Sequence, residues 1–361
     1  MNNSTYVVIM AGGIGSRFWP VSKTTHPKQF IDILGTGKTL IQQTYERFLK
    51  VCPKENIFVV TNEHYRDLVN KQLPDLDNDQ ILGEPVAKNT APCIAYACSK
   101  INKLNKDATI IVAPSDHLIL NESNFIASIE TGLETAKAND CLLTLGIKPT
   151  RPDTGYGYIQ YSDHLLGKDF YKVKTFTEKP TLEIAITFID SGDFLWNAGI
   201  FIWSATSILD SFEKHLPEMF ELFREGRKFY QTNAEADFIK TAYSQCTNIS
   251  IDYGIMEKAD NVYVMPSEFG WSDLGTWGSL YTIQEKDYVG NAIIGSDKVM
   301  MYDSSDCMVS VPKNKLVILQ GLHDYIVVES DHVLLICKKS EEQQIKQIVA
   351  DVKKNLGDKY I

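Results

Sequence analysis

The chain has 361 residues, 44% hydrophobic and 23% charged, a make-up that supports a sizeable core and excludes a disordered chain. A formal net charge of −10 excludes a protein that coats nucleic acid, although a local basic pocket could still hold phosphates. The seven cysteines never form a Cys-x-x-Cys pair and the histidines show no metal-ligand spacing, so free thiols in a reducing compartment are expected, with neither disulfides nor zinc.

Taken in order, apolar β-branched runs predict strands at 6–10, 57–61, 109–113 and 141–146, and helical periodicity lies between them at 39–51, 65–73, 91–104 and 125–138. That alternation predicts a mostly parallel sheet covered by helices on both faces. After Pro149 the pattern becomes mixed, with strands at 155–160, 172–177 and 198–203 and a helix at 182–189. A helical stretch follows over 206–243, then a short helix at 251–258 capped by Ser250, and a strand at 262–265. Residues 291–337 read as strands only, without a strong internal repeat, and an amphipathic helix closes the chain over 341–356. A boundary near 287–291 divides a domain of residues 1–288 from a small β-rich one of 289–361. No signal-peptide pattern precedes Tyr6 and no apolar run reaches membrane-span length, which gives the expectation of a cytoplasmic protein.

The first strand ends in Gly12, Gly13 and Gly15, and Arg17 and Lys28 follow. Closely spaced glycines after a buried strand let backbone amides face phosphates, and two cations beyond them suit a polyphosphate. Read alone, the glycines fit a tight strand-to-helix turn equally well. A dinucleotide fingerprint fails because Phe18 stands where a third glycine is needed, and Gly37-Lys38-Thr39 fails as a P-loop because Asp32 occupies its first glycine. Asp116 follows the strand at 109–113, at the end where open α/β sheets bind ligands, though a turn or cap acid reads the same way.

The strings Ala11-Gly12-Gly13-Ile14-Gly15-Ser16-Arg17-Phe18-Trp19-Pro20 and Pro27-Lys28-Gln29-Phe30 resemble the signature of the sugar-1-phosphate nucleotidyltransferases. The likeness continues in order through Glu84-Pro85-Val86-Ala87-Lys88-Asn89-Thr90, Pro114-Ser115-Asp116-His117, Gly155-Tyr156-Gly157-Tyr158, Thr177-Glu178-Lys179-Pro180, Trp196-Asn197-Ala198-Gly199, Ser250-Ile251-Asp252-Tyr253 and Trp271-Ser272-Asp273-Leu274-Gly275. Its nearest form is the branch that joins GTP to mannose 1-phosphate.

The resemblance implies an α/β fold: a Rossmann-like nucleotidyltransferase domain with a mixed, mostly parallel central sheet and a small β-rich, β-helix-like C-terminal domain. It implies transfer of GMP from GTP to α-D-mannose 1-phosphate by Mg²⁺-assisted in-line attack on the α-phosphorus. Arg17, Lys28 and Lys179 match its catalytic cations, and Gly12, Gly13, Gly15, Pro85 and Asn89 its nucleotide contacts. Gly157, Glu178 and Asn197 match its sugar contacts, and Asp116 and Asp273 its metal ligands. Lys88 stands where relatives commonly carry arginine, so a bidentate contact is not carried over there. Neither nucleic acid nor membrane is an expected partner, and the C-terminal domain leaves room for a homodimer. Two alternatives stay open: a pyrophosphorylase of GDP-heptose or dTDP-glucose type, and a non-catalytic regulatory subunit that binds a sugar nucleotide.

Overall fold

The computed structural model describes residues 4–361. By compactness the chain falls into two units. The first takes in the described residues up to Gly12, Thr44–Ser115 and Ile119–Trp271, and the second takes in Gly13–Gln43, Asp116–Leu118 and Ser272–Ile361.

The strands up to residue 267 are β1 (Thr5–Ala11), β2 (Ile57–Asn62), β3 (Ile81–Glu84), β4 (Thr109–Pro114), the two-residue β5 (Leu118–Ile119), β6 (Leu142–Ile147), β7 (Gly157–Leu166), β8 (Phe170–Glu178), β9 (Phe194–Ser204) and β10 (Val262–Ser267). All but β5 form one nine-stranded sheet in the first unit, in the order β3-β2-β1-β4-β9-β6-β10-β8-β7. β1 lies between β2 and β4, parallel to both, with Val8 opposite Phe58 and Val112. Val7, Val8 and Ile9 are wholly buried, as continuous apolar runs must be when helices cover both faces. β9 runs antiparallel between β4 and β6, and the β7–β8 hairpin extends the far side, so the sheet is mixed as expected.

Three local expectations change. β3 has only four residues, one of them Gly83, too short a pattern to read as a strand, and its pairing with β2 is what makes it one. The helical stretch over 206–243 is three helices, Ala205–His215, Pro217–Glu225 and Glu235–Gln245; Pro217 cannot continue the preceding helix and opens the next. The short helix at 251–258 is a π-helical turn, Asp252–Met256, and Ser250 Oγ accepts from Tyr253 N at 3.2 Å.

In the second unit, Ala292–Gly295, Met308–Val311 and Tyr325–Ser330 stack as parallel rungs, with Ala292, Met308 and Ile326 in register. Val299–Tyr302 and Val317–Gln320 form a second parallel ladder, and Val333–Lys338 closes the first by antiparallel pairing. The rungs stack in space without a repeat in the sequence, which is the β-helix-like arrangement that the resemblance implied. Val309, Val311, Leu319 and Val327 fill the interior, and Met308, Ile326 and Leu335 pack outward with Trp277, Leu280 and Ile345.

Candidate active site

Within the second unit the glycine loop is built around Lys28. Its backbone N donates to Ile14 O at 3.2 Å, and Gly15 has φ +71°, where an added Cβ would lie 2.5 Å from the Lys28 Cβ. Only glycine meets both demands. Gly13 has nothing within 4 Å of the position a Cβ would take, so its backbone is open. Arg17 Nε is buried without a hydrogen-bond partner.

Lys28 itself is 3% exposed. Its Nζ lies 2.7 Å from Asp116 Oδ2 and donates to Asp273 O at 3.0 Å and Leu274 O at 2.9 Å. An ammonium has three donors, so these bonds saturate it. Burial alone would raise the Asp116 carboxyl, but the Lys28 charge, then His117, bring it below its ordinary value. Lys28 therefore draws Asp116 and the backbone around Asp273 to one atom and keeps Asp116 ionised. Asp273 Oδ1 accepts from Gly275 N at 3.0 Å, which orients that carboxylate.

In the first unit two further groups form. At the end of β3, Glu84 is 6% exposed and Tyr243 Oη donates to its Oε1 at 3.0 Å. Its Oε2 lies 3.4 Å from where a Gly12 Cβ would be, so Gly12 lets the chain pass close to this carboxylate. Burial pushes the Glu84 carboxyl up to about 7, partly offset by Tyr243. Pro85 follows it. Asn89, at φ +68°, accepts from Thr90 N at 3.1 Å and so starts the helix Thr90–Leu104. Thr90 Oγ1 in turn accepts from Ile251 N at 2.9 Å.

The other group gathers Gly157, Glu178, Lys179 and Asn197. Gly157 is paired with Glu178 across the β7–β8 hairpin, and a Cβ there would lie 2.5 Å from Glu178 Oε2. Lys179 Nζ pairs with Glu178 Oε1 at 2.5 Å. Asn197 Oδ1 accepts from Gly199 N at 3.0 Å and Thr144 Oγ1 at 3.1 Å, while its Nδ2 donates to Asp252 Oδ1 at 3.1 Å. Burial, then the nearby Glu178, push Asp252 up to about 7. Trp196 is 4% exposed against Tyr156.

In the sequence Glu84 and Asp252 lie inside the family-like strings with no role of their own. The signal that could have found them is an acid in an otherwise apolar or tightly turned segment, Glu84 after Ile81-Leu82-Gly83 and Asp252 beside Ile251. Arg17, Gly13, Gly15, Lys28, Asp116 and Asp273 belong to the second unit, and Gly12, Pro85, Asn89, Gly157, Glu178, Lys179 and Asn197 to the first. Among the described residues no three His, Cys, Asp or Glu side chains gather as a metal cluster, and no helix is long and apolar enough to cross a membrane.

A glycine loop closed around a buried lysine and its paired acid is the kind of setting in which backbone amides and cations meet phosphates. The chain belongs to the nucleotidyl transferase family, whose model matches residues 6–289, and residues 297–352 match the MannoseP isomerase/GMP-like beta-helix domain. Among curated relatives it is 36% identical over 360 residues to mannose-1-phosphate guanylyltransferase RfbM of Salmonella typhimurium, a match that covers 98% of this chain and 73% of that protein. It is 35% identical over 349 residues to alginate biosynthesis protein AlgA of Pseudomonas aeruginosa, covering 96% of this chain and 71% of that one. Among solved structures, one from Thermus thermophilus titled mannose-1-phosphate geranyltransferase superposes with a TM-score of 0.85 at 28% identity, over 97% of this chain and 99% of that one.

Proposed function

We propose that the chain transfers GMP from GTP to α-D-mannose 1-phosphate, giving GDP-mannose and pyrophosphate. The observation that carries the reaction type is the Lys28 junction, where one buried ammonium holds Asp116 and the Asp273–Leu274 backbone beside a glycine loop. The relatives' names support the choice of substrates. In the reaction an oxygen of the sugar phosphate bonds to the α-phosphorus, the bond from that phosphorus to the β-phosphate bridging oxygen breaks, and pyrophosphate leaves with the electron pair. Gly13, Gly15 and Arg17 hold the triphosphate, and Lys179 holds the sugar phosphate against repulsion between two anions. Glu84 suits guanine, which alone among the common bases offers two adjacent N–H donors to a carboxylate.

A magnesium ion fits the donor set: Asp116 is kept ionised and Asp273 adds a second hard oxygen ligand, the one or two carboxylates such an ion takes besides substrate phosphates. Asp116 and Asp273 would hold it, and it would supply charge neutralisation on the phosphates. Association of two copies through the second unit belongs to the same reading: Met300, Tyr302 and Ile318 stand exposed on the outer face of the Val299–Tyr302 and Val317–Gln320 ladder.

Pyrophosphate release measured over a panel of nucleoside triphosphates and sugar 1-phosphates tests the reading. GTP with mannose 1-phosphate is expected to give the highest kcat/KM, and preference for dTTP or a heptose phosphate would overturn it. Asp116→Ala is expected to lower kcat by about 100-fold or more, as loss of a preorganised electrostatic group does. Undiminished turnover in that variant would remove Asp116 from the metal site.

A further inference from the structure

Asp252 has no part in the roles above, yet its surroundings are built to hold it. It opens the π-helical turn Asp252–Met256, a rare geometry concentrated at functional sites. The chain is pinned on both sides of it, by Ile251 N donating to Thr90 Oγ1 and by Tyr253 N donating to Ser250 Oγ.

Asn197 fixes the carboxylate. A main-chain N–H can only donate, so the bond from Gly199 N assigns the side-chain oxygen of Asn197 to that side and turns its amide nitrogen to Asp252. The Asn197 oxygen also takes Thr144, which leaves that side chain as a donor with little acceptor capacity for a sugar. Acceptors in this group therefore come from Glu178 and Asp252. A carboxylate accepts about four hydrogen bonds, and Asn197 takes one of Asp252's. Glu178 is close enough to raise the Asp252 carboxyl, and the pair has one ammonium, Lys179, on the Glu178 side. Lys179 is the cation a sugar phosphate would draw to itself, and its departure would leave Glu178, which already raises the Asp252 carboxyl, without its paired ammonium. Hydroxyl donors relieve the repulsion between the two acids, and a hexose carries several on adjacent carbons. Gly157 keeps the strand surface bare beside them: a Cβ there would overlap Glu178 and stand 3.4 Å from the Asn197 Cβ.

We infer that Asp252, oriented by Asn197, is a second hydroxyl acceptor of the hexose site and, with Glu178, decides which sugar 1-phosphate is accepted. The inference rests on the pyrophosphorylase reading above. In it Asn197 is a positioning residue.

The test is steady-state kinetics of wild type and Asp252→Asn with GTP and either mannose 1-phosphate or each of its monodeoxy analogues, with thermal melts to check folding. Asp252→Asn is expected to raise KM for mannose 1-phosphate about 10-fold or more, the loss typical of one hydrogen bond to a charged group, and to leave KM for GTP within about two-fold. One monodeoxy analogue is expected to suffer the same loss with wild type and little further loss with the variant, because the same bond is missing twice. Asp252→Ser, run against the same analogues, serves if Asp252→Asn does not fold. Active wild type with no analogue coupled to residue 252 overturns the inference alone. So does an equal rise in KM for GTP, which marks a structural residue. A wild type that transfers GMP to no hexose 1-phosphate overturns the functional reading and the inference with it.

Discussion

Glu84 and Asp116 are two acids whose environments push them in opposite directions. Glu84 is raised by burial to about 7, against roughly 4.3 in an unfolded chain. The folded state then binds more protons than the unfolded one between those values, so this group's contribution to stability is full at low pH and is lost as pH rises through about 7. Asp116, lowered beside Lys28, contributes stability present above the unfolded value of about 3.9 and lost as pH falls through its depressed folded value. Glu84→Gln keeps an acceptor for Tyr243 and removes only the buried charge. It is expected to stabilise the protein by about 3–4 kcal/mol at pH 8, where the wild type carries that charge, and by well under ~1 kcal/mol near pH 4.5. Denaturant titrations of the ligand-free protein at both pH values measure this, and equal effects at the two would show that Glu84 is not the titrating group. Lys28 shows the limit of reading single residues. The sequence marks it as a cation after a glycine loop, but its burial depends on carbonyls at Asp273 and Leu274, 245 and 246 positions away.

Between the glycines of the loop the demands are unequal, and that separates strain from access. Gly15→Ala places a Cβ 2.5 Å from the Lys28 Cβ at φ +71°, so backbone and side-chain geometry both oppose it. It is expected to destabilise the protein by about 2 kcal/mol or more and to raise KM for GTP about 10-fold by disturbing Lys28. Gly13→Ala meets nothing within 4 Å, so its melting temperature should stay near wild type, while KM for GTP is expected to rise if the open backbone there receives the triphosphate as proposed. Melts and GTP kinetics on the pair check this, and equal destabilisation by both would sink the distinction. The strands β1, β2, β4 and β6 were legible because burial on both faces writes itself as an unbroken apolar run. β3 was not, since a four-residue strand containing glycine exists only through its partner. Pro217 was visible and its consequence, a broken helical stretch, follows from the missing N–H. The π turn at Asp252 was invisible, because widening a turn depends on what pins its flanks, and Thr90 is 161 residues distant from Ile251.

At the scale of the molecule, the C-terminal strands and helix share a core with the chain that follows the glycine loop. Phe18, Trp19 and Ile33 belong to the same buried cluster as Trp277, Met308, Ile326 and Ile345. The Phe18 and Trp277 rings lie 4.9 Å apart, and Trp19 Nε1 donates to Tyr360 O at 2.7 Å. The β-helix-like segment is thus part of the support for the chain that follows the glycine loop. Gly278 N donates to Glu342 Oε2 at 2.7 Å, which ties the helix after Asp273 to the same C-terminal region. Deleting residues 358–361 removes the acceptor of Trp19 and leaves its indole N–H without that partner, at a cost of about 1–3 kcal/mol if water does not replace it. The truncated protein is expected to melt lower and to show a KM for GTP raised several-fold. KM for mannose 1-phosphate should change less, because Gly157, Glu178, Lys179 and Asn197 are all in the other unit. Kinetics with each substrate varied in turn, and tryptophan fluorescence of the two proteins, separate the outcomes. A parallel rise in both KM values would mean that the truncation loosens the whole chain, whereas a rise confined to GTP ties the C-terminal segment to the loop through Trp19.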